Sequence, residues 1–146
     1  MEKPFRFTFR KEERLCSKKL LDELFLSKQS VQFFQFPLKA FWLFTDSKSI
    51  GPVQVVFPVS KRLFKRAHDR NRIRRMMRES FRLQKNDLYR QLAQQNLSGL
   101  LSISYIAKEK VEYQQIYHAT NKLLESVKKI ASHHSNIHPI NTDSDL

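Results

Sequence analysis

Phe33-Phe34-Gln35-Phe36-Pro37-Leu38-Lys39-Ala40-Phe41-Trp42-Leu43-Phe44 has an apolar residue at every even position, whereas the odd positions mix Phe33, Phe41 and Leu43 with Gln35, Pro37 and Lys39. Successive side chains of a strand point to opposite faces of a sheet, so this period of two predicts extended structure with one face on a core. The mixed odd face is left to receive a ligand. Pro37 has no N–H to give to a ladder, which argues for a bulge, a break into two strands or an edge position.

Working outward, Ser17 is an N-cap candidate followed by apolar Leu20, Leu21, Leu24 and Phe25 on one helical face, which predicts a short first helix. On the other side, Gly51-Pro52 within Asp46 to Pro52 predicts a turn, and Val53-Gln54-Val55-Val56-Phe57-Pro58-Val59 is β-branched enough for a further strand. Ala67 to about Leu83 reads as a helix with Ile73, Met76, Met77 and Phe81 on its apolar side, followed by a short helix over Asp87 to Gln95. Gly99 opens a strand over Leu100 to Ala107. Glu112 to Ile130 predicts a last amphipathic helix with Ile116, Leu123, Val127 and Ile130 in one stripe. The polar, aperiodic residues 131–146 predict a disordered tail, so the chain reads as one α+β domain over 1–130 that buries the even face of the Phe33–Phe44 region against helices.

Composition restricts the partner. The 146 residues carry 27 Lys and Arg against 14 Asp and Glu, a formal charge of +13 that repels itself and calls for a polyanion. Nucleic acid is the first candidate and an anionic membrane surface the second. The single cysteine, Cys16, excludes an internal disulfide, the N-terminus lacks the apolar core of a secretion signal, and no stretch approaches the ~20 apolar residues that span a bilayer, so a cytoplasmic location is expected.

The charge is concentrated. Lys61, Arg62, Lys65, Arg66, Arg70, Arg72, Arg74, Arg75, Arg78 and Arg82 stand against only Asp69 and Glu79. Arg66, Arg70, Arg74, Arg78 and Arg82 recur every four positions, and because each such step drifts only ~40° around a helix they predict a curved arginine ridge. Like charges at that spacing destabilise a helix by roughly 0.2–0.5 kcal/mol per pair, so the ridge is expected to oppose folding until a polyanion neutralises it. Arginine outnumbers lysine, and its planar fork donates bidentate hydrogen bonds to phosphate, which favours geometric recognition over bare charge. Asn71, near the helix start, adds an amide.

Val59-Ser60-Lys61-Arg62, Arg70-Asn71-Arg72-Ile73-Arg74-Arg75 and Arg78-Glu79-Ser80-Phe81-Arg82 together resemble the signature of the bacterial ribonuclease P protein subunit, R-N-R-x-(K/R)-R-x-x-R-E-x-F. The resemblance, which covers about Arg14 to Ile130, implies an α-β-β-β-α-β-α sandwich of the ribosomal protein S5 domain 2-like type, with a left-handed βαβ crossover around the basic central helix. It implies a non-catalytic protein that binds a catalytic RNA subunit and the 5′ leader of precursor tRNA, promoting endonucleolytic removal of the leader with Mg²⁺ held chiefly by the RNA. The residues implied for the catalytic RNA are Lys61, Arg62, Lys65, Arg66, Arg70, Asn71, Arg72, Arg74, Arg75, Arg78 and Arg82. The leader would lie in a cleft between the first helix and the sheet, at positions matching Leu21, Phe25, Phe36 and Lys39, with Phe41 alongside.

Other chemistries find little support. Two glycines make neither a P-loop nor a dinucleotide fingerprint, and His68, His118, His133, His134 and His138 have no cysteine or carboxylate at metal-site spacing, so neither a protein-held metal nor a small-molecule substrate is expected. A duplex-DNA regulator would need a second helix and tight turn or a dimer zipper. A peripheral membrane protein would need an exposed apolar face on the basic helix, yet Ile73, Met77 and Phe81 are wanted by the core. An RNA- or DNA-binding accessory role without tRNA processing is the alternative.

Overall fold

In a computed structural model of the chain, residues 8–45 and 52–143 are described, with side chains as far as residue 134 of the last helix. The turn expected over Asp46 to Pro52 lies, apart from Pro52, outside the described residues. Ser17 opens helix α1 (Lys18–Leu26), its hydroxyl accepting from the Leu20 N–H at 3.3 Å. Strands β1 (Val31–Gln35), β2 (Leu38–Thr45) and β3 (Val53–Val56) follow, then helices α2 (Ala67–Gln84) and α3 (Asn86–Gln94), strand β4 (Ser98–Tyr105) and helix α4 (Tyr113–Asp143). The sheet order is β1-β2-β4-β3, with β3 and β4 parallel neighbours joined through α2 and α3 and the other pairs antiparallel. The α+β class and the α-β-β-β-α-β-α order therefore hold, with α3 as a short helix added to the crossover.

Pro37 breaks the Phe33–Phe44 stretch into two strands, across a cis Phe36–Pro37 peptide. Gln35 pairs with Leu38, so only Phe36 and Pro37 form the turn, and the odd residues of β1 stand opposite the even residues of β2. Directly opposite residues of an antiparallel pair share a face. Val31, Phe33 and Gln35 consequently join Trp42, Ala40 and Leu38 on the side of α2, α3 and α4, while Gln32 and Phe34 join Phe41 and Lys39 on the side of α1. This corrects the expectation of a single buried even face: Phe34 is 67% exposed and Phe36 58%, whereas Leu38, Ala40 and Trp42 are fully buried.

β4 runs through the middle of the sheet with helices over both faces, which is why Ser98–Tyr105 is buried almost throughout, its serines included. On one side Leu101, Ile103 and Tyr105 meet Ile73, Met77 and Phe81 of α2 and Ile116, Leu123 and Val127 of α4 in the main core. On the other, Leu100 joins Leu15, Leu24 and Leu43 in a smaller core beneath α1. Gly99 carries no side chain because the Trp42 ring occupies the space: a Cβ there would lie 2.1 Å from it.

The last helix passes the boundary expected at Ile130. Ala131 is fully buried, the Gln91 and Gln95 amides donate to the carbonyls of Lys128 (2.9 Å) and Ala131 (3.3 Å), and the His134 ring stacks on Phe44 at 4.1 Å. Residues 131–134 have no long apolar side chain to signal this packing, only the small alanine at the place where two helices approach.

Candidate nucleic-acid interface

α2 buries Ile73, Met77, Ser80 and Phe81 and turns the rest of its circumference outward. The row from Arg66 to Arg82 is not one free ridge. Its drift of ~40° per step carries it from beside the core stripe, near the helix start, to the opposite side of the helix at Arg82. Arg70, close to the core, donates to the Phe64 and Lys65 carbonyls at 2.8 and 2.9 Å. Arg74 donates through Nε to the Phe57 carbonyl at 3.1 Å and through its fork to Asn71 Oδ1 at 3.1 Å. Arg82 forms a two-point ion pair with Glu79, 2.7 Å at its shorter distance, which holds the Glu79 carboxyl below its ordinary range. The expectation that the row only opposes folding is corrected accordingly, since Arg70 and Arg74 satisfy carbonyls that close the loop onto α2.

The exposed cations are Lys61, Arg62, Lys65, Arg66, Arg72 and Arg75, with Asn71 exposed among them and Arg78 half-buried. The loop bearing the first four is anchored by Phe64, buried edge-on against Tyr105 at 5.7 Å, and by the Ser60 hydroxyl, which accepts from the Arg62 N–H. Two cations missed in the sequence join them from the segment after β4: Lys110 pairs with Asp69 at 2.9 Å, and Lys108 is exposed nearby in the chain. Burial, and then the neighbouring charges of Arg14, Arg74 and Arg75, lower the proton affinity of Arg78, whose Nε is buried and has no hydrogen-bond partner among the described residues.

The α1 side of the sheet has different chemistry. Phe25, 42% exposed on α1, meets Phe41 edge-on at 5.4 Å, and the Lys39 ammonium lies 5.3 Å from the centre of the same ring. These three expected residues come together. Leu21 packs beside Phe41 against the smaller core, while Phe36 is exposed at the hairpin turn. Phe34, opposite Lys39 in register, adds an exposed ring to the same face. Its period-two position assigns it to the core, and the signal that corrects it is Pro37, which inverts the phase.

A third group was not anticipated. Lys85, 2% exposed, donates to Glu13 and to the Thr8 carbonyl and lies over the rings of Phe9 and Tyr89. The Tyr89 hydroxyl donates to the same Glu13 oxygen at 2.7 Å, and the other oxygen accepts from the Arg10 N–H. Burial lowers the Lys85 ammonium against the opposing pull of Glu13 and raises the Tyr89 hydroxyl well above its ordinary value. The network ties the segment before α1 to the junction of α2 and α3.

Among the described residues no three His, Cys, Asp or Glu side chains converge. No helix among them is long and apolar enough to cross a membrane.

An arginine-rich helix laid on one side of an α+β sheet, with exposed aromatic rings on the other, defines a class of small basic proteins with two chemically distinct faces. The family model described as Ribonuclease P matches residues 9–130, and the chain belongs to that family. It is 31% identical over 117 residues to the ribonuclease P protein component of Blochmanniella floridana, covering 80% of this chain and 84% of that one. It is 62% identical over 42 residues to the component of Chlorobaculum tepidum and 38% over 76 residues to that of Legionella pneumophila, matches that span only 27% and 62% of those relatives. The fold resembles the Thermotoga maritima RNase P protein (TM-score 0.59, 17% identity, 78% of this chain and 96% of that one) and the Staphylococcus aureus RNase P protein (0.57, 23%, 82% and 94%).

Proposed function

We propose that this chain is the protein subunit of a ribonuclease P, binding the catalytic RNA with the α2 face and the 5′ leader of precursor tRNA in the cleft between α1 and the sheet. The observation that carries the reading is the separation of the two surfaces by the thickness of the sheet: guanidinium groups on the α2 side, and Phe25, Phe41, Lys39 and Phe34 on the α1 side. Arginine forks recognise the phosphate pattern of a folded RNA, and exposed rings stack with the unpaired bases of a single strand. The RNA subunit carries out the hydrolysis with its own Mg²⁺, while the protein lends cations and holds the leader, in the cytoplasm.

Two comparisons test this. The purified chain binds a bacterial catalytic RNA in preference to duplex DNA of equal charge at physiological salt. The assembled enzyme binds precursor tRNA more tightly than mature tRNA. Equal affinity for RNA and DNA, with no preference for the leader, favours the alternative of a nucleic-acid-binding accessory protein without a role in tRNA processing.

A further inference from the structure

The segment ahead of α1 runs along the open edge of β3, and three consecutive residues fix it in three ways. Glu13 is buried between Lys85 and Tyr89. Leu15 enters the smaller core under α1, and its N–H donates to the Val55 carbonyl at 2.9 Å. Between them Arg14 pairs with Val55 in a parallel bridge. Partners in such a bridge point to the same side of a sheet, and Val55 points into the main core under α2. Arg14, exposed, therefore leaves the strap on the α2 side, where Arg74 is anchored to the Phe57 carbonyl just beyond β3.

Among the described residues, no counter-charge acts on Arg78 in this corner. The charges acting on Arg78 are those of Arg14, Arg74 and Arg75, with no carboxylate among them. Arg82, one turn away, is paired with Glu79, and Lys110 with Asp69. Arg78, half-buried beside Arg14, Arg74 and Arg75, therefore calls for an anionic partner. A phosphate oxygen is an acceptor of the right charge.

We infer that Arg14 is a further RNA-binding residue, held by the Glu13–Lys85–Tyr89 network where it completes, with Arg74, Arg75 and Arg78, a site for a backbone phosphate of the catalytic RNA. The inference rests on the reading of α2 as the RNA face and adds to it a residue outside the helix. It also gives the buried ion pair a purpose, since a strap free to move would withdraw Arg14 from the other three.

The test is the salt dependence of binding between the full chain and a bacterial catalytic RNA, for Arg14→Gln, Arg14→Lys, Arg75→Gln and Arg90→Gln. Removing the cation that neutralises one phosphate lowers the slope of log affinity against log salt by about one. Arg14→Gln lowers it by that amount with no change in melting temperature, Arg14→Lys restores it, and Arg90→Gln, on the exposed side of α3, leaves it as in the parent chain. A parental slope for Arg14→Gln beside a reduced slope for Arg75→Gln overturns the inference and leaves the α2 reading intact. Parental slopes for both variants overturn the α2 reading itself.

Discussion

Phe34 and Lys39 stand directly opposite each other in the β1–β2 hairpin, on the side of the sheet turned toward α1. Lys39 extends from there over Phe41, which in turn receives the edge of Phe25. A cation set among rings is a surface on which bases stack while the backbone phosphate is neutralised, and Phe34 is its most exposed ring.

Phe34→Ala therefore weakens binding of precursor tRNA by about 1–3 kcal/mol if one base stacks on the ring, and leaves mature tRNA unaffected. Affinities of the assembled enzyme for the two substrates check this. Because the ring is largely solvated, the melting temperature of the free protein stays constant.

Arg70 and Arg74 of α2 carry a folding role, in addition to any contact with RNA, that Arg72 and Arg75 lack. Arg70→Ala and Arg74→Ala each release carbonyls from charged hydrogen bonds and destabilise the free protein by about 1 kcal/mol, a value reduced for their partial exposure. Arg72→Ala and Arg75→Ala change stability by less than about 0.5 kcal/mol yet weaken RNA binding. Denaturant melts and RNA titrations of the four variants separate the two effects.

Lys85→Met leaves Glu13 buried without its cation, which costs about 3–5 kcal/mol. Pairing it with Glu13→Gln removes the stranded charge and recovers part of the stability. Urea denaturation of the single and double variants measures the coupling.

The Asp69 carboxyl is held below its ordinary value of 3.8 chiefly by its hydrogen bond from Lys110, which outweighs the opposing effect of burial, with Lys110, Arg66 and His68 adding Coulombic attraction. A depressed folded-state value means that the stabilisation is fully present above the unfolded value and is lost as pH falls through the folded one. Acidification below about pH 4 thus loosens the segment carrying Lys108 and Lys110 from the start of α2. Amide exchange in that segment rises over this range in the parent chain, and Asp69→Asn shows the faster exchange already at neutral pH.

Much of this was legible in the residues. The run from Arg70 to Arg82 and the apolar stripe of Ile73, Met77 and Phe81 specify the basic helix and the face it buries. What escaped was long-range or set by parity. A two-residue turn at Phe36 and Pro37 moved Phe34 from the core side to the exposed α1 side of the sheet, and Pro37 signalled a break without fixing the length of the turn. The folding role of Arg70 and Arg74 depends on carbonyls brought close only by the closed loop. Lys85 and Glu13 are separated by 72 positions, and a lone lysine at a helix junction reads as solvated until the carboxylate is placed beside it.

The most direct measurement of the central claim is cleavage of precursor tRNA by a bacterial catalytic RNA at a Mg²⁺ concentration too low for the RNA alone, with and without this protein. The account predicts that the protein restores release of the 5′ leader and that Arg72→Ala combined with Arg75→Ala reduces the rescue. A catalytic RNA that remains inactive beside stoichiometric, folded protein contradicts it.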